Sequence, residues 1–192
     1  MKAHETNELI EHGHEKSKNR TALLIACLAM VLAIASLGGS NAMKEATHEN
    51  ILAANTYSFY QAKAIRQQAL KIAASDLELK IASDPKMTPQ IKDLYTKKIE
   101  EYQKTISRYE SEPESKEGKK ELLVKAKGHE AIRDHALLQD PWFDYAEDLL
   151  QIAIVLLSVS IIGSIPALFL VGGIVGFLGL LSTLNGFLLI IH

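Results

Sequence analysis

The sequence predicts an all-α membrane protein with three transmembrane helices and a long helical insert between the first and second. Two uncharged segments support this class, because residues 21–39 and 149–191 contain no charged side chain. Every Lys, Arg, Asp and Glu lies in the first twenty positions or between Lys44 and Asp148. A third observation is a set of seven-residue spacings within the charged segment, which is typical of helices packed in a coiled-coil-like hairpin.

The first uncharged segment predicts one crossing at residues 21–40, after a His- and Glu-rich tail at residues 1–20. A helix needs about 20 apolar residues to cross a bilayer core. The small residues Ser40 to Ala42 leave open a signal peptide that is cleaved there.

The second uncharged segment is long enough for two crossings, predicted at residues 143–163 and 167–190. The turn between them is expected at Gly163–Pro166, because proline lacks an amide hydrogen and glycine relaxes the backbone. Gly172–Gly173 is the alternative position for this turn.

Basic residues predict the orientation of the first crossing. Lys16, Lys18 and Arg20 come directly before it, whereas only Lys44 follows it closely. The positive-inside rule then puts the N-terminus in the cytoplasm and the insert on the other side of the membrane.

The insert, residues 41–142, is predicted to be helical. A seven-residue repeat runs along its first helix through Ile51, Ser58, Ile65, Ile72 and Leu79, and its second helix carries Tyr95, Tyr102 and Tyr109 at the same spacing. So narrow a stripe suits a coiled-coil-like seam better than a thick globular core. The stripes predict contacts between chains through Ile65, Ile72 and the three tyrosines.

Prolines predict where the helices of the insert begin and end. Asp84–Pro85 should end the first helix, and Thr88–Pro89 should begin the second. A third helix is predicted from about Lys119 to Leu138, and Asp140–Pro141 should cap a fourth that continues into the second crossing.

An aromatic cluster lies in the first helix of the insert, in the stretch YSFYQAKAIR at residues 57–66. No single narrow helical stripe holds Tyr57, Phe59 and Tyr60 together. We therefore expect these rings to contact more than one neighbouring helix, and Phe59 and Tyr60 are predicted interface residues.

Two motifs resemble a known bacterial family. Phe59-Tyr-Gln-Ala-Lys63, followed by Ile65 and a basic residue, is similar to the F-Y-Q-A-K-S-I-K segment of domain-of-unknown-function family 4337. The entry to the second crossing, from Asp144 to Leu156, is similar to that family's D-L-A-E-A-L-L-Q-I-A-I-V-L. The resemblance implies three crossings and an origin in a bacterial membrane, and it implies no activity. Together with the orientation predicted above, a bacterial origin would place the crossings in the inner membrane and the insert in the periplasm.

Histidines are the weak candidates for metal binding. In a helix His4 and His12 share a stripe and His14 lies nearby, which would suit Zn²⁺ or Ni²⁺, although a solvated tail explains them equally. His129 and His135 lie about 120° apart on a helix and are predicted to be surface residues.

Other chemistry finds little support in the sequence. No nucleotide-binding, nucleophile-elbow or Cys-x-x-Cys motif is present, so we expect neither an enzyme nor a cofactor nor a small-molecule substrate. Residues 41–148 carry 17 basic and 19 acidic residues, a balance that does not favour a nucleic-acid partner.

Small residues in the last crossing indicate close helix packing. Gly172 and Gly176 are one helical turn apart, which lets helices approach closely in lipid, between chains or within one chain. Asn185 is expected to form an interhelical contact, since an unpaired amide in lipid is costly.

The function predicted from these observations is a non-enzymatic, membrane-anchored helical scaffold or interaction protein that forms a homo-oligomer surrounded by membrane lipid. The alternatives are a channel or transport component, in which Ser160 and Asn185 would face a common axis, and an accessory subunit bound to another membrane protein.

Overall fold

The computed structural model describes the backbone of residues 2–191 and the side chains of residues 18–191. All regular secondary structure in this part of the chain is helical, in four helices: α1 (Lys2–Ser83), α2 (Pro89–Glu110), α3 (Lys119–Gly163) and α4 (Pro166–Leu188). The predicted all-α class is confirmed. The helices α1, α3 and α4 are each long and apolar enough, by length and composition, to cross a membrane.

Most predicted helix ends agree with the structure. The helix α1 ends at Ser83, just before Asp84–Pro85, and α2 begins at Pro89. Thr88 is the N-cap residue of α2 by position, but its side chain makes no capping hydrogen bond. The turn between α3 and α4 lies at the predicted Gly163–Pro166, where Ser164 adopts a left-handed conformation with φ 50°.

The predicted helix break at Asp140–Pro141 is wrong, because α3 runs through Pro141 without interruption. A proline inside a helix removes one backbone hydrogen bond and costs about 3 kcal/mol. Burial on one face offsets that cost, since Ala136 before the proline and Phe143, Leu150 and Leu157 after it follow at seven-residue intervals, all buried.

The chain divides into two compact units. We call Met1–Ala46 with Asp134–His192 the apolar unit, and Thr47–Arg133 the polar unit. The described core of the apolar unit combines Leu28 and Ala35 of α1 with large side chains of α3. The helix α4 presents small residues to them, as Gly176 faces Leu28 and Gly179 faces Leu150. Small residues on one helix and leucines on another allow close packing of all three.

Phe143 is the largest fully buried side chain of the apolar unit's core, with 1% of its surface exposed. A Cβ atom added to Gly38 of α1 would lie 2.5 Å from the Phe143 ring, and one added to Gly186 of α4 would lie 2.8 Å from it. Phe187 completes the site with an edge-to-face contact at 4.8 Å between ring centroids. A side chain at Gly38 or Gly186 would overlap the Phe143 ring, so both positions require glycine.

The face of α1 that the polar unit buries lies opposite the stripe that is predicted to make contacts between chains. The stripe of Ile51, Ile65, Ile72 and Leu79 is exposed to solvent. The buried face instead carries small and polar side chains, namely Ala53, Thr56, Lys63, Gln67 and Ala74. Ala53, Gln67 and Ala74 each lie two positions after an isoleucine of the exposed stripe, and two positions turn about 200° around a helix. The buried and exposed faces therefore point in nearly opposite directions and share the seven-residue period.

Candidate interaction site

The buried face of α1 in the polar unit holds a lysine and a glutamine that few helices would bury. Lys63 is 5% exposed and Gln67 is 4% exposed. Both lie in or directly beside the aromatic stretch at residues 57–66. Polar side chains are normally buried only when they find hydrogen-bonding or charged partners, so their surroundings decide what this segment does.

Lys63 lies in an anionic and aromatic environment. Its Nζ atom is 3.8 Å from the Glu112 carboxylate and 3.7 Å from that of Glu117, both in the segment that joins α2 to α3. The same atom lies 5.2 Å from the centre of the Phe59 ring and 5.8 Å from that of Tyr109. An ammonium group over an aromatic face is attracted by the ring quadrupole, and the two carboxylates attract the same ammonium group by charge.

Gln67 joins all three helical segments of the polar unit. Its Nε2 atom donates to the backbone carbonyl of Ile106 and to the carboxylate of Glu110, both at 3.0 Å. Its Oε1 atom accepts from Lys119 at the start of α3, at 2.9 Å. Lys119 also bonds Glu110 at 3.0 Å and lies 5.7 Å from the centre of the Tyr60 ring.

Hydrogen bonds within the α2–α3 connection complete the cluster. The Ser111 hydroxyl donates to Glu121 at 2.5 Å, and the backbone N–H of Glu112 donates to the same carboxylate at 3.1 Å. These bonds fix the chain that carries Glu112 towards Lys63. We use the name polar latch for Lys63 and Gln67 with the charged residues that contact them, Glu110, Glu112, Glu117 and Lys119, together with Ser111 and Glu121.

A second contact between α1 and α3 lies about two to four turns of α1 from Lys63, towards the N-terminus of α1. Tyr57 donates to Glu130 at 3.0 Å, and the Glu49 carboxylate lies 2.5 Å from Nδ1 of His129. His129 is therefore a half-buried partner of α1, and its prediction as a surface residue is wrong. Partial burial, with the nearby Glu130 carboxylate, raises the pKa of the Tyr57 hydroxyl.

The polar latch has the composition of a structural contact. No buried side-chain nitrogen or oxygen among residues 18–191 lacks a hydrogen-bond partner. A network whose members satisfy one another leaves no donor or acceptor directed at a substrate, and it makes the arrangement specific. Tyr57 and Tyr60 contact α3 in this way, so the chain's own helices account for two rings of the cluster.

Acid is expected to weaken the polar latch. Hydrogen bonds from Gln67 and Lys119 lower the pKa of Glu110, and a hydrogen bond from Ser111 lowers that of Glu121, from an ordinary value of 4.5. A lowered folded-state pKa gives stability that is complete above the unfolded value and is lost as pH falls through the folded one. The thermal midpoint of the polar unit, followed by circular dichroism in mild detergent, should therefore fall between about pH 5 and pH 3.

Two variants test that assignment. Glu110→Gln keeps a hydrogen-bond acceptor and removes the titration, so its midpoint should fall less steeply with acid. Glu114→Gln alters an exposed carboxylate of the same connection and should retain the parent slope. Identical slopes for the parent and Glu110→Gln would contradict the role given to Glu110.

The exposed stripe on α1 is the second feature of this site. We call Ile51, Ile65, Ile72 and Leu79 the apolar stripe; the exposed fractions of Ile65 and Ile72 are 70% and 62%. Four large apolar side chains along about 42 Å of helix have no cover within the polar unit. Unpartnered apolar surface of this length is typical of an interaction surface.

Other predicted interface residues lie mostly within the chain. The three predicted tyrosines of α2, Tyr95, Tyr102 and Tyr109, are all half-buried. The Nζ atom of Lys98 lies 5.2 Å from the centre of the Tyr102 ring. Phe59 is at the margin, 39% exposed beside Lys63. In α4, Gly172 packs on Leu157 and Leu156, and Gly176 packs on Leu28 and Ala153, which is the intrachain alternative for the glycine row.

The expectation that Asn185 contacts another helix is corrected by the structure. Its Nδ2 atom donates to the Ile191 carbonyl at 3.0 Å, and its Oδ1 atom accepts from the Ile191 backbone at 2.9 Å. The chain reverses at Leu189, where φ is 46°, and this brings the following backbone to the asparagine. Asn185 thus caps the end of its own helix.

The metal candidates His4, His12 and His14 lie outside the residues whose side chains the structure describes. Within the described side chains, no three His, Cys, Asp or Glu residues come together as a set of metal ligands.

Comparison with known proteins gives one family. The model of the domain of unknown function DUF4337 matches residues 17–189, which include α2–α4, most of α1 and the polar latch. The chain belongs to the DUF4337 family. Comparisons with curated proteins and with solved structures give no match. In this DUF4337 chain, the stretch at residues 59–63 that suggested the family supplies Lys63 to the polar latch.

Proposed function

We propose that this DUF4337 chain is a non-enzymatic scaffold of the bacterial inner membrane that self-associates through the apolar stripe. Three helices of sufficient length and apolarity support membrane anchoring. Basic residues before the first of them favour a cytoplasmic N-terminus and a periplasmic insert at residues 41–142. The exposed apolar stripe is the observation that carries the proposal.

A second copy of the same chain suits the apolar stripe for a geometric reason. The stripe repeats every seven residues, which is the period that keeps two helices in contact along a coiled-coil-like seam. Ser58 occupies the remaining position of the repeat, and a small residue does not obstruct a neighbouring helix. Flanking polar residues such as Gln61 and Gln68 suit the rim of such an interface.

The channel alternative receives less support from the polar side chains of the apolar unit. The Ser160 hydroxyl donates to the Ile165 carbonyl at 3.0 Å, and the Thr183 hydroxyl donates to the Gly179 carbonyl at 2.9 Å. Asn185 is engaged with Ile191. Groups that bond their own backbone offer little to a hydrated pore, so we retain the scaffold.

The test is the native mass of the full chain in mild detergent. The parent should give one discrete multiple of 21.2 kDa, and the double variant Ile65→Glu/Ile72→Glu should give the single-chain mass. Arg66→Glu is the matched control, since it makes the same total charge change as the double variant at an exposed neighbour of Ile65 about 100° around the helix. It should keep the parent mass.

Two outcomes would contradict self-association through this surface. A single-chain parent would leave no oligomer to explain, and an unchanged mass for the double variant would assign the interface elsewhere. A stable parent mass that fits no multiple of 21.2 kDa would instead favour the accessory-subunit alternative.

A further inference from the structure

A cavity of about 190 Å³ lies in the apolar unit where α3 turns into α4. Lys18 and Thr21 of α1 line it together with Ser160, Ser164 and Phe169. Among the residues whose side chains the structure describes, no acidic residue lines it. The cavity therefore combines one cation and three hydroxyl groups in a unit whose core is otherwise apolar.

The charge of this cavity comes from Lys18. The C-terminal end of α3 and the N-terminal end of α4 meet at the same turn, and their opposite helix dipoles largely cancel there. Ser160 already donates its hydroxyl hydrogen to Ile165. Ser164 makes no side-chain hydrogen bond within the described part of the chain and is exposed beside the cavity. A lysine with hydroxyl donors suits an anionic group such as a phosphate.

An apolar groove of about 290 Å³ on α4 shares one residue with the cavity. Phe169 lines both, and the groove continues past Gly173 to Phe177 and Leu178. A Cβ atom added to Gly173 would meet nothing within 4 Å, so the floor of the groove is open backbone. The groove extends about 14 Å along the helix from the polar cavity.

We infer that the cavity and groove together bind one anionic phospholipid. The phosphate would lie beside Lys18 and Ser164, and an acyl chain would follow the groove over Gly173. Because Phe169 lines both the cavity and the groove, a lipid with a phosphate and an acyl chain would contact both. A free phosphate ion would contact the cavity alone, so the arrangement favours a lipid. This inference depends on the proposed membrane location, in which Lys18 would lie at the cytoplasmic leaflet, where anionic lipids are attracted by basic residues.

The test is native mass spectrometry of the full chain titrated with phosphatidylglycerol or with phosphatidylcholine of the same acyl chains. The parent should retain phosphatidylglycerol about five-fold better, the factor that corresponds to about 1 kcal/mol for one lysine at an anionic surface. Lys18→Gln should reduce that preference to none. Lys44→Gln, an exposed lysine beyond the other end of the uncharged segment, should leave it unchanged.

A second pair of variants tests the groove. Gly173→Leu should fill the groove and reduce retention of both lipids. Gly128→Leu is its control, because a Cβ atom there also meets nothing within 4 Å and the residue lies in the polar unit, outside the groove. Equal retention of the two lipids by the parent, or no effect of Lys18→Gln and Gly173→Leu, would overturn the inference. Full displacement of phosphatidylglycerol by inorganic phosphate would overturn it in favour of a simple anion site.

Cell fractionation separates this inference from the scaffold proposal. A chain found in membranes at a multiple of 21.2 kDa, but without lipid preference, would overturn the lipid site alone. A chain found in the soluble fraction would overturn both.

Discussion

Phe143→Ala is expected to destabilise the apolar unit by about 3–5 kcal/mol, the range for removing a buried phenylalanine from a packed core. The ring is 1% exposed and fills the space between Gly38 of α1 and Gly186 of α4. Neither glycine has a side chain that could move into the cavity left behind. The site should therefore collapse poorly, which places the cost towards the upper end of this range.

Phe177→Ala is the matched control for that measurement. It makes the same chemical change on α4, where the side chain is 60% exposed, and should cost well under 1 kcal/mol in the free energy of unfolding. Denaturant unfolding in mild detergent, followed by circular dichroism, would compare the free energies of unfolding of the two variants. Equal losses for both variants would contradict the central position given to Phe143.

Gln67→Leu is expected to cost about 1–3 kcal/mol in the stability of the polar unit, the penalty for leaving buried partners unsatisfied. Leucine has a similar volume but cannot bond the Ile106 carbonyl, the Glu110 carboxylate or the Lys119 ammonium group. Glu110 and Lys119 still bond each other, which limits the loss.

The adjacent Gln68 supplies an unusually close control. Gln68→Leu makes the identical change on an exposed position one residue along the same helix, and its effect should stay within about 0.5 kcal/mol. Thermal unfolding of both variants in parallel would separate loss of the polar latch from any general effect of leucine on helix propensity. A Gln67→Leu variant as stable as Gln68→Leu would contradict the latch.

The helices could be predicted from the sequence because their signals are local. Long uncharged segments, Asp84–Pro85 and Gly163–Pro166 each act through nearby backbone, and the structure follows them. The predicted helix break at Pro141 was wrong because it rested on the local effect of proline alone. Its local cost is offset by burial of Phe143 and other residues on the same face, and no local pattern reports that packing.

The polar latch could not be predicted because its partners are distant in sequence. Isoleucine is more hydrophobic than alanine, lysine or glutamine, so the hydrophobic pattern predicts a contact surface at the stripe with Ile65 and gives no prediction for the face that holds Lys63. Lys63 and Gln67 are buried because acids at the end of α2 and in the α2–α3 connection, 43 or more residues away, reach them. The available signal was a second seven-residue repeat, in which Ala53, Gln67 and Ala74 keep the same phase.

The polar latch also sets the alignment of α2 and α3 along α1. A seam of small residues such as Ala53 and Ala74 repeats itself, so a shift by seven residues would still pack. The same shift would bring Glu112 and Glu117 opposite Thr56 or Leu70, neither of which can balance a carboxylate. One buried polar pair in a repetitive seam is a known means of fixing helix register. Without it, the polar unit would have several sliding arrangements of similar energy in place of one.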